Sequence, residues 1–257
     1  DGRVLHQRSL PDVPAFPPDV VVIAVKPQQF DSLVTDIRAH LPPSCLLISI
    51  AAGKSLSEME NLLPSQPVVQ AMPNLPAEIG QGMSAAIANS RLSAAQRDVT
   101  AQIFQSVGDF VWVDDAALMP LVTAISGSGP AYLFALVEAL AAAAIAEGME
   151  LELAQRLARQ TIIGASAQLS HSPLQPAQLR DQVTSPGGTT AAGLAVLLAK
   201  NGLYPLLQET VRAFMRGWYR DIEAMVDTVV ADAERAGARI DEVLMVGGST
   251  ILPEVYP

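Results

Sequence analysis

The run Asp19-Val-Val-Val-Ile-Ala-Val25 constrains the fold more than any other stretch of the chain. A half-exposed strand would carry a polar residue at every second place. This run has none after Asp19, and it predicts a strand buried on both faces. Helical spacing follows over Gln29–Leu41, and Cys45–Ile50 reads as a second buried strand. Val68–Ala71, Met83–Ala88 and Phe110–Val113 are further short strands, and Ser93–Val107 reads as a helix capped by Ser93. Strands alternating with helices imply a parallel, doubly wound sheet.

From about residue 117 the pattern becomes wholly helical. Pro130 sits where a helix over Ala131–Glu147 begins, and Gly148 ends it. Helices are expected at Leu151–Ser170, Pro176–Val183 and Thr190–Lys200, and a long helical pattern runs from Leu203 to Gly237. Such Ala-rich helices expose much small apolar surface, which a second copy of the chain commonly buries. The expected division is a sheet domain over 1–116, a helical domain over 117–216 and an acidic tail over 217–257. That tail holds three basic and eight acidic residues.

Composition removes several classes of function. Half of the 257 residues are apolar, which rules out a disordered polar chain. The net charge of −10 argues against nucleic acid as a partner, since phosphate binding needs clustered Lys and Arg. One cysteine, Cys45, makes neither an intramolecular disulfide nor a Cys-rich zinc site, and His6, His40 and His171 are scattered, so no metal centre is expected. The most apolar stretch, Tyr132–Ala146, carries Glu138 and is too short to span a bilayer. The expectation is a cytoplasmic protein with no membrane segment. The chain opens at Asp1 without an initiator Met, and it reads as beginning partway through a fold.

Five motifs could carry chemistry. Ala24-Val25-Lys26-Pro27 and Ser49-Ile50-Ala51-Ala52-Gly53 each end a strand, where open α/β sheets bind ligands. Lysine there can face an anionic cofactor, and small residues let a ring or sugar approach the backbone. A solvated lysine and an ordinary turn are the plain alternatives. In Ala71-Met72-Pro73-Asn74-Leu75-Pro76 two prolines hold Asn74 in a rigid loop, able to point its amide at a ligand or merely to turn the chain. Ser126-Gly127-Ser128-Gly129-Pro130 leads into a helix. Its exposed N–H groups could hold an anion, although Ser128 reads better as a cap at a close helix crossing. The fifth, Thr184-Ser185-Pro186-Gly187-Gly188-Thr189-Thr190, is the sharpest. Two glycines allow unusual backbone angles, and two threonines put hydroxyls and N–H groups at a helix start, which suits a small carboxylate and a second polar atom. No G-x-S-x-G elbow of a serine hydrolase is present.

In this order the motifs resemble those of pyrroline-5-carboxylate reductases over roughly Pro14–Met215. Val183–Gly193 and Val122–Tyr132 are the most specific stretches. The resemblance implies a Rossmann-like domain binding NADPH or NADH, then a helical domain that forms a homodimer or a higher homo-oligomer. It implies hydride transfer to the C=N carbon of 1-pyrroline-5-carboxylate, giving L-proline. By resemblance Ala24, Val25, Lys26, Pro27, Ile50, Ala51 and Ala52 line the cofactor, with Asn74 and Gln182 in the same set. Ser185, Gly187, Gly188 and Thr189 hold the substrate, and Thr190 is the catalytic hydroxyl that bonds the ring nitrogen.

The family's opening strand and glycine-rich G-x-G-x-x-G turn have no counterpart in the chain, so the expected sheet domain is an incomplete Rossmann-like one with weakened cofactor affinity. Leu75 stands where the family often has Thr, and Pro120-Leu121 where a more polar pair is usual. Residues 220–255 resemble a piece of the ATPase domain of seventy-kilodalton heat-shock chaperones, with Ile251 where that family usually has Arg. The competing expectations are an impaired reductase, a non-catalytic dimerisation fragment of one, and a nucleotide-binding tail.

Overall fold

Three crossovers and one tight return build the sheet seen in the computed structural model, which describes residues 18–199 and 211–212. Strands β1 (Val20–Ile23), β2 (Leu46–Ser49), β3 (Val68–Met72), β4 (Gly82–Ala88) and β5 (Gly108–Trp112) lie side by side in that order. Helix α1 (Pro27–Ile37) returns the chain for the parallel β1–β2 pair, with Val20 opposite Leu46. Helix α2 (Leu56–Leu62) does so for β2–β3, and α3 (Ala94–Gln105) for β4–β5. The expectation of a wholly parallel sheet fails at one place. β3 and β4 are antiparallel, because Pro73–Gln81 is too short a link for a crossover helix.

Alternation in β2 feeds two cores. Leu47 joins Ile23, Phe30, Val34, Met59 and Val68 beneath α1 and α2. Leu46 and Ile48 join Val69, Ala86, Phe104 and Phe110 on the opposite face, beneath α3. All four β2 residues are buried, as the uninterrupted apolar run requires. β1 corrects the same inference: Ile23 is buried, but Val22 is 48% exposed. β1 is an edge strand among the described residues, and no helix among them covers Val22.

Ser93 caps α3 as expected, accepting from the Gln96 N–H, while the Gln96 side chain returns to the Ser93 N–H. The same reciprocal box at Ser55 and Glu58 starts α2, a helix the sequence reading passed over. Ser84 is fully buried, and its hydroxyl finds no partner among the described residues. Ser84→Ala should therefore leave stability unchanged or raise it by up to about 1 kcal/mol, read from the urea midpoint. A loss of similar size would mean the hydroxyl has a partner. Cys45 is buried as well; burial, and to a smaller extent the Asp19 charge, push its thiol above the ordinary value. It is a protonated packing group at neutral pH, not a nucleophile.

Residues 18–127 form one compact unit, which includes the short helix α4 (Met119–Val122), and 128–199 belong to a second. In the second, α5 (Gly129–Ala146) and α6 (Leu151–His171) pack as a hairpin, with Ala141, Ala154 and Ala158 buried. Small side chains at the contact let the two backbones approach. α7 (Pro176–Gln182) and α8 (Thr189–Leu197) follow. The backbone is helical from Ala116 to Ala146, 31 residues that are long and apolar enough by composition to cross a membrane. The shorter stretch picked out from sequence missed this, because short helical turns run on through Pro120 ahead of Pro130. The expected helix over Leu203–Gly237, apart from the helical residues 211–212, and the tail 217–257 lie outside the described residues.

Candidate functional site

β1, β2 and β3 run parallel, so their carboxyl ends open on one edge of the sheet. That edge carries the first two motifs. The Ile50 N–H donates to the Ile23 carbonyl at 3.0 Å, which ties Ile50-Ala51-Ala52 to Ala24-Val25-Lys26-Pro27. Ala51 is buried and its N–H donates to Ser49 Oγ at 3.2 Å, whereas Ala24 and Ala52 are exposed. The result is a shelf of small side chains. Lys26 stands at the start of α1, with Pro27 in the first helical position and no side-chain cap. Its ammonium makes no ion pair or hydrogen bond among the described residues, and the side chain is exposed. Lys54 nearby is already committed, 2.9 Å from Asp31 and over the ring of Phe30. Among the described residues of this edge, Lys26 is thus the cation without such a partner.

The fifth motif lies in the second unit and forms a tight turn into α8. The Gly188 N–H donates to the Ser185 carbonyl at 3.0 Å, and Gly187 has φ +70°, a left-handed angle that favours glycine. Gly188 caps α8 without any side-chain bond. The first-turn N–H groups of α8 therefore keep no side-chain acceptor, which leaves an anion site of the kind the sequence predicts. Thr189 and Thr190 open the helix with exposed side chains, and Ser185 is exposed too. Thr184 differs, since its hydroxyl donates to the Arg180 carbonyl at 2.7 Å. Gln182, assigned to the cofactor by resemblance, is the exposed last residue of α7 in this same unit.

Asn74 sits in the loop after β3 with its amide engaged: Nδ2 donates to the Ser126 carbonyl and Oδ1 accepts from the Met83 N–H. The structure thus joins the third and fourth motifs, a link that sequence reasoning missed because fifty-two residues separate them. Ser128 corrects another expectation. It makes no capping bond and has helical angles, because the helical backbone already runs in from a π turn over Thr123–Gly127. The close approach in this motif is at Gly127, where a Cβ would stand 2.6 Å from Met72 Cε; Gly129 has open space.

A mostly parallel sheet with helices on both faces and small residues at its strand ends defines a fold of the dinucleotide-binding, Rossmann-like class. Comparison narrows this. Residues 116–217 match the family described as pyrroline-5-carboxylate reductase dimerisation. A pyrroline-5-carboxylate reductase of Pseudomonas aeruginosa is 42% identical over 196 residues, covering 76% of this chain and 71% of that protein. Among solved structures, a Coxiella burnetii pyrroline-5-carboxylate reductase aligns with TM-score 0.71 at 35% identity, covering 77% of this chain and 74% of the other. A Plasmodium falciparum pyrroline carboxylate reductase with NADP bound aligns at 0.70 and 34%, covering 77% and 75%. The chain belongs to the pyrroline-5-carboxylate reductase family.

Proposed function

We propose that this chain reduces 1-pyrroline-5-carboxylate to L-proline with NADPH or NADH, as a homodimer or larger homo-oligomer. The observation that carries this reading is the Ser185–Thr190 turn, where Gly187 at φ +70° and the uncapped start of α8 leave backbone donors open for a carboxylate. Gly187, Gly188 and Thr189 hold that carboxylate, with Ser185 beside them. The Thr190 hydroxyl bonds the ring nitrogen and fixes which carbon is presented. The nicotinamide, when bound, supplies the hydride.

The residues at the sheet edge fit such a cofactor. Ala24, Ala51, Ala52 and Gly53 present nothing larger than a methyl group, and a Cβ added at Gly53 would meet nothing within 4 Å. Lys26 supplies a positive charge, and Gln182 stays in the cofactor set. Among the described residues no G-x-G-x-x-G turn follows a strand, and the outer edge of β1 has no partner. We therefore propose weak cofactor binding by the described sheet, with Kd on the order of 0.1–1 mM. The apolar helical run at 116–146 is covered by a second copy, and the protein is placed in the cytoplasm. For the tail 217–257 no nucleotide site is proposed, because the segment is too short for a two-lobed ATPase.

NADPH fluorescence with the purified full chain, followed by imine-dependent NADPH oxidation, tests the reading. Saturable binding and oxidation that needs the imine are expected. A folded dimer showing no binding at about 10 mM NADPH, some tenfold above the weakest expected Kd, would leave only the alternative, a non-catalytic dimerisation module.

A further inference from the structure

One side chain ties the loop after β3 to the π turn before α5. Asn74 is half-buried, and both ends of its amide are engaged: Nδ2 donates to the Ser126 carbonyl at 3.0 Å, and Oδ1 accepts from the Met83 N–H at 2.8 Å. The turn lies against the end of β3: a Cβ at residue 127 would stand 2.6 Å from Met72 Cε, the flexible tip of that side chain. Met119 and Ala124 are buried in the same segment.

The turn needs such a clamp. π winding replaces the regular i→i+4 ladder and leaves carbonyls short of their usual partners. The residue four places on from Ser126 is Pro130, which has no N–H to donate, and the Ser126 carbonyl accepts from Asn74 Nδ2. Thr123 Oγ1 donates to the Met119 carbonyl and Ser126 Oγ to the Val122 carbonyl, back-bonds of the kind that accompany bent helices. Asn is the residue type that suits this place. It offers a donor to one carbonyl and an acceptor to one N–H from a single planar group. Aspartate would keep the bond from Met83 but turn a second oxygen toward the Ser126 carbonyl.

We infer that Asn74 is a positioning residue, holding the Thr123–Gly127 turn on the end of β3 rather than touching the cofactor. Only its consequence for turnover rests on the function proposed above. The clamp itself does not.

Amide hydrogen exchange on the full chain, in the wild type, Asn74→Asp and Asn74→Ala, tests it. Rates are read relative to the core amides of Leu47 and Ile48, so that a global loss of stability cancels. In Asn74→Asp the Met83 amide stays protected while protection over residues 123–127 falls at least about tenfold. In Asn74→Ala both fall. Unchanged protection over 123–127 in the two variants overturns the proposal. The kinetic signature is a lower kcat with the KM for NADPH within about threefold of wild type. A raised KM for NADPH at unchanged kcat would instead make Asn74 a cofactor ligand. Should the wild type bind no NADPH, the proposed function fails and the exchange pattern still decides the clamp.

Discussion

Replacing Thr190 by alanine is expected to lower turnover of 1-pyrroline-5-carboxylate about ten- to hundredfold at saturating NADPH, the effect of losing one hydrogen bond to a polar or charged reacting group. The geometry makes this a clean substitution. Thr190 opens α8 with an exposed side chain, and Gly188 is the capping residue, so the helix does not depend on the threonine hydroxyl. The melting temperature should stay within a few degrees of wild type. Thr190→Ser keeps the hydroxyl and should recover most of the rate, which separates the chemistry of the oxygen from packing of the methyl group. Wild-type turnover in Thr190→Ala would remove the role assigned to the residue.

Residues of this turn were legible in the sequence because each carries a distinct local reason. Gly187 takes the left-handed angle that two adjacent glycines foretell, and the threonines stand at the helix start. Local signals served well elsewhere too: Ser93 marked the start of α3, and the unbroken apolar run of β2 announced its burial on both faces. What the sequence hid was whatever depends on neighbours. The run at Val20–Ile23 looks as apolar as β2, but burial of an edge strand depends on what lies beside it, and Val22 is half exposed. The direction of β4 turned on the length of the link from β3, a feature with no residue signature. Asn74 reads from its prolines alone as a ligand-facing amide or as a simple turn, because nothing local shows that Ser126 and Met83 come to meet it. Ser128 read as a cap, because the π turn before it leaves no break in the helix.

The largest effect on assembly is expected from Leu157→Asp, which should convert the proposed homodimer to monomer and weaken self-association at least about a hundredfold. α6 meets α5 through Ala154 and Ala158, and the leucines beside them, Leu153 and Leu157, remain 49% exposed. Phe134 and Leu140 on α5 and Ile163 on α6 are likewise exposed by 44–53%. Burying one such side chain fully is worth roughly 1.5–3 kcal/mol. In a two-fold interface each substitution enters twice, and an aspartate placed there must be desolvated without a partner. Because Leu157 is half exposed within the single chain, its replacement should spare the α5–α6 hairpin, and far-UV circular dichroism should keep its helical signal. Sedimentation velocity reads the outcome directly. A dimeric Leu157→Asp would place the association surface on another face. A monomeric wild type would show that the apolar helices meet something other than a second copy of this chain.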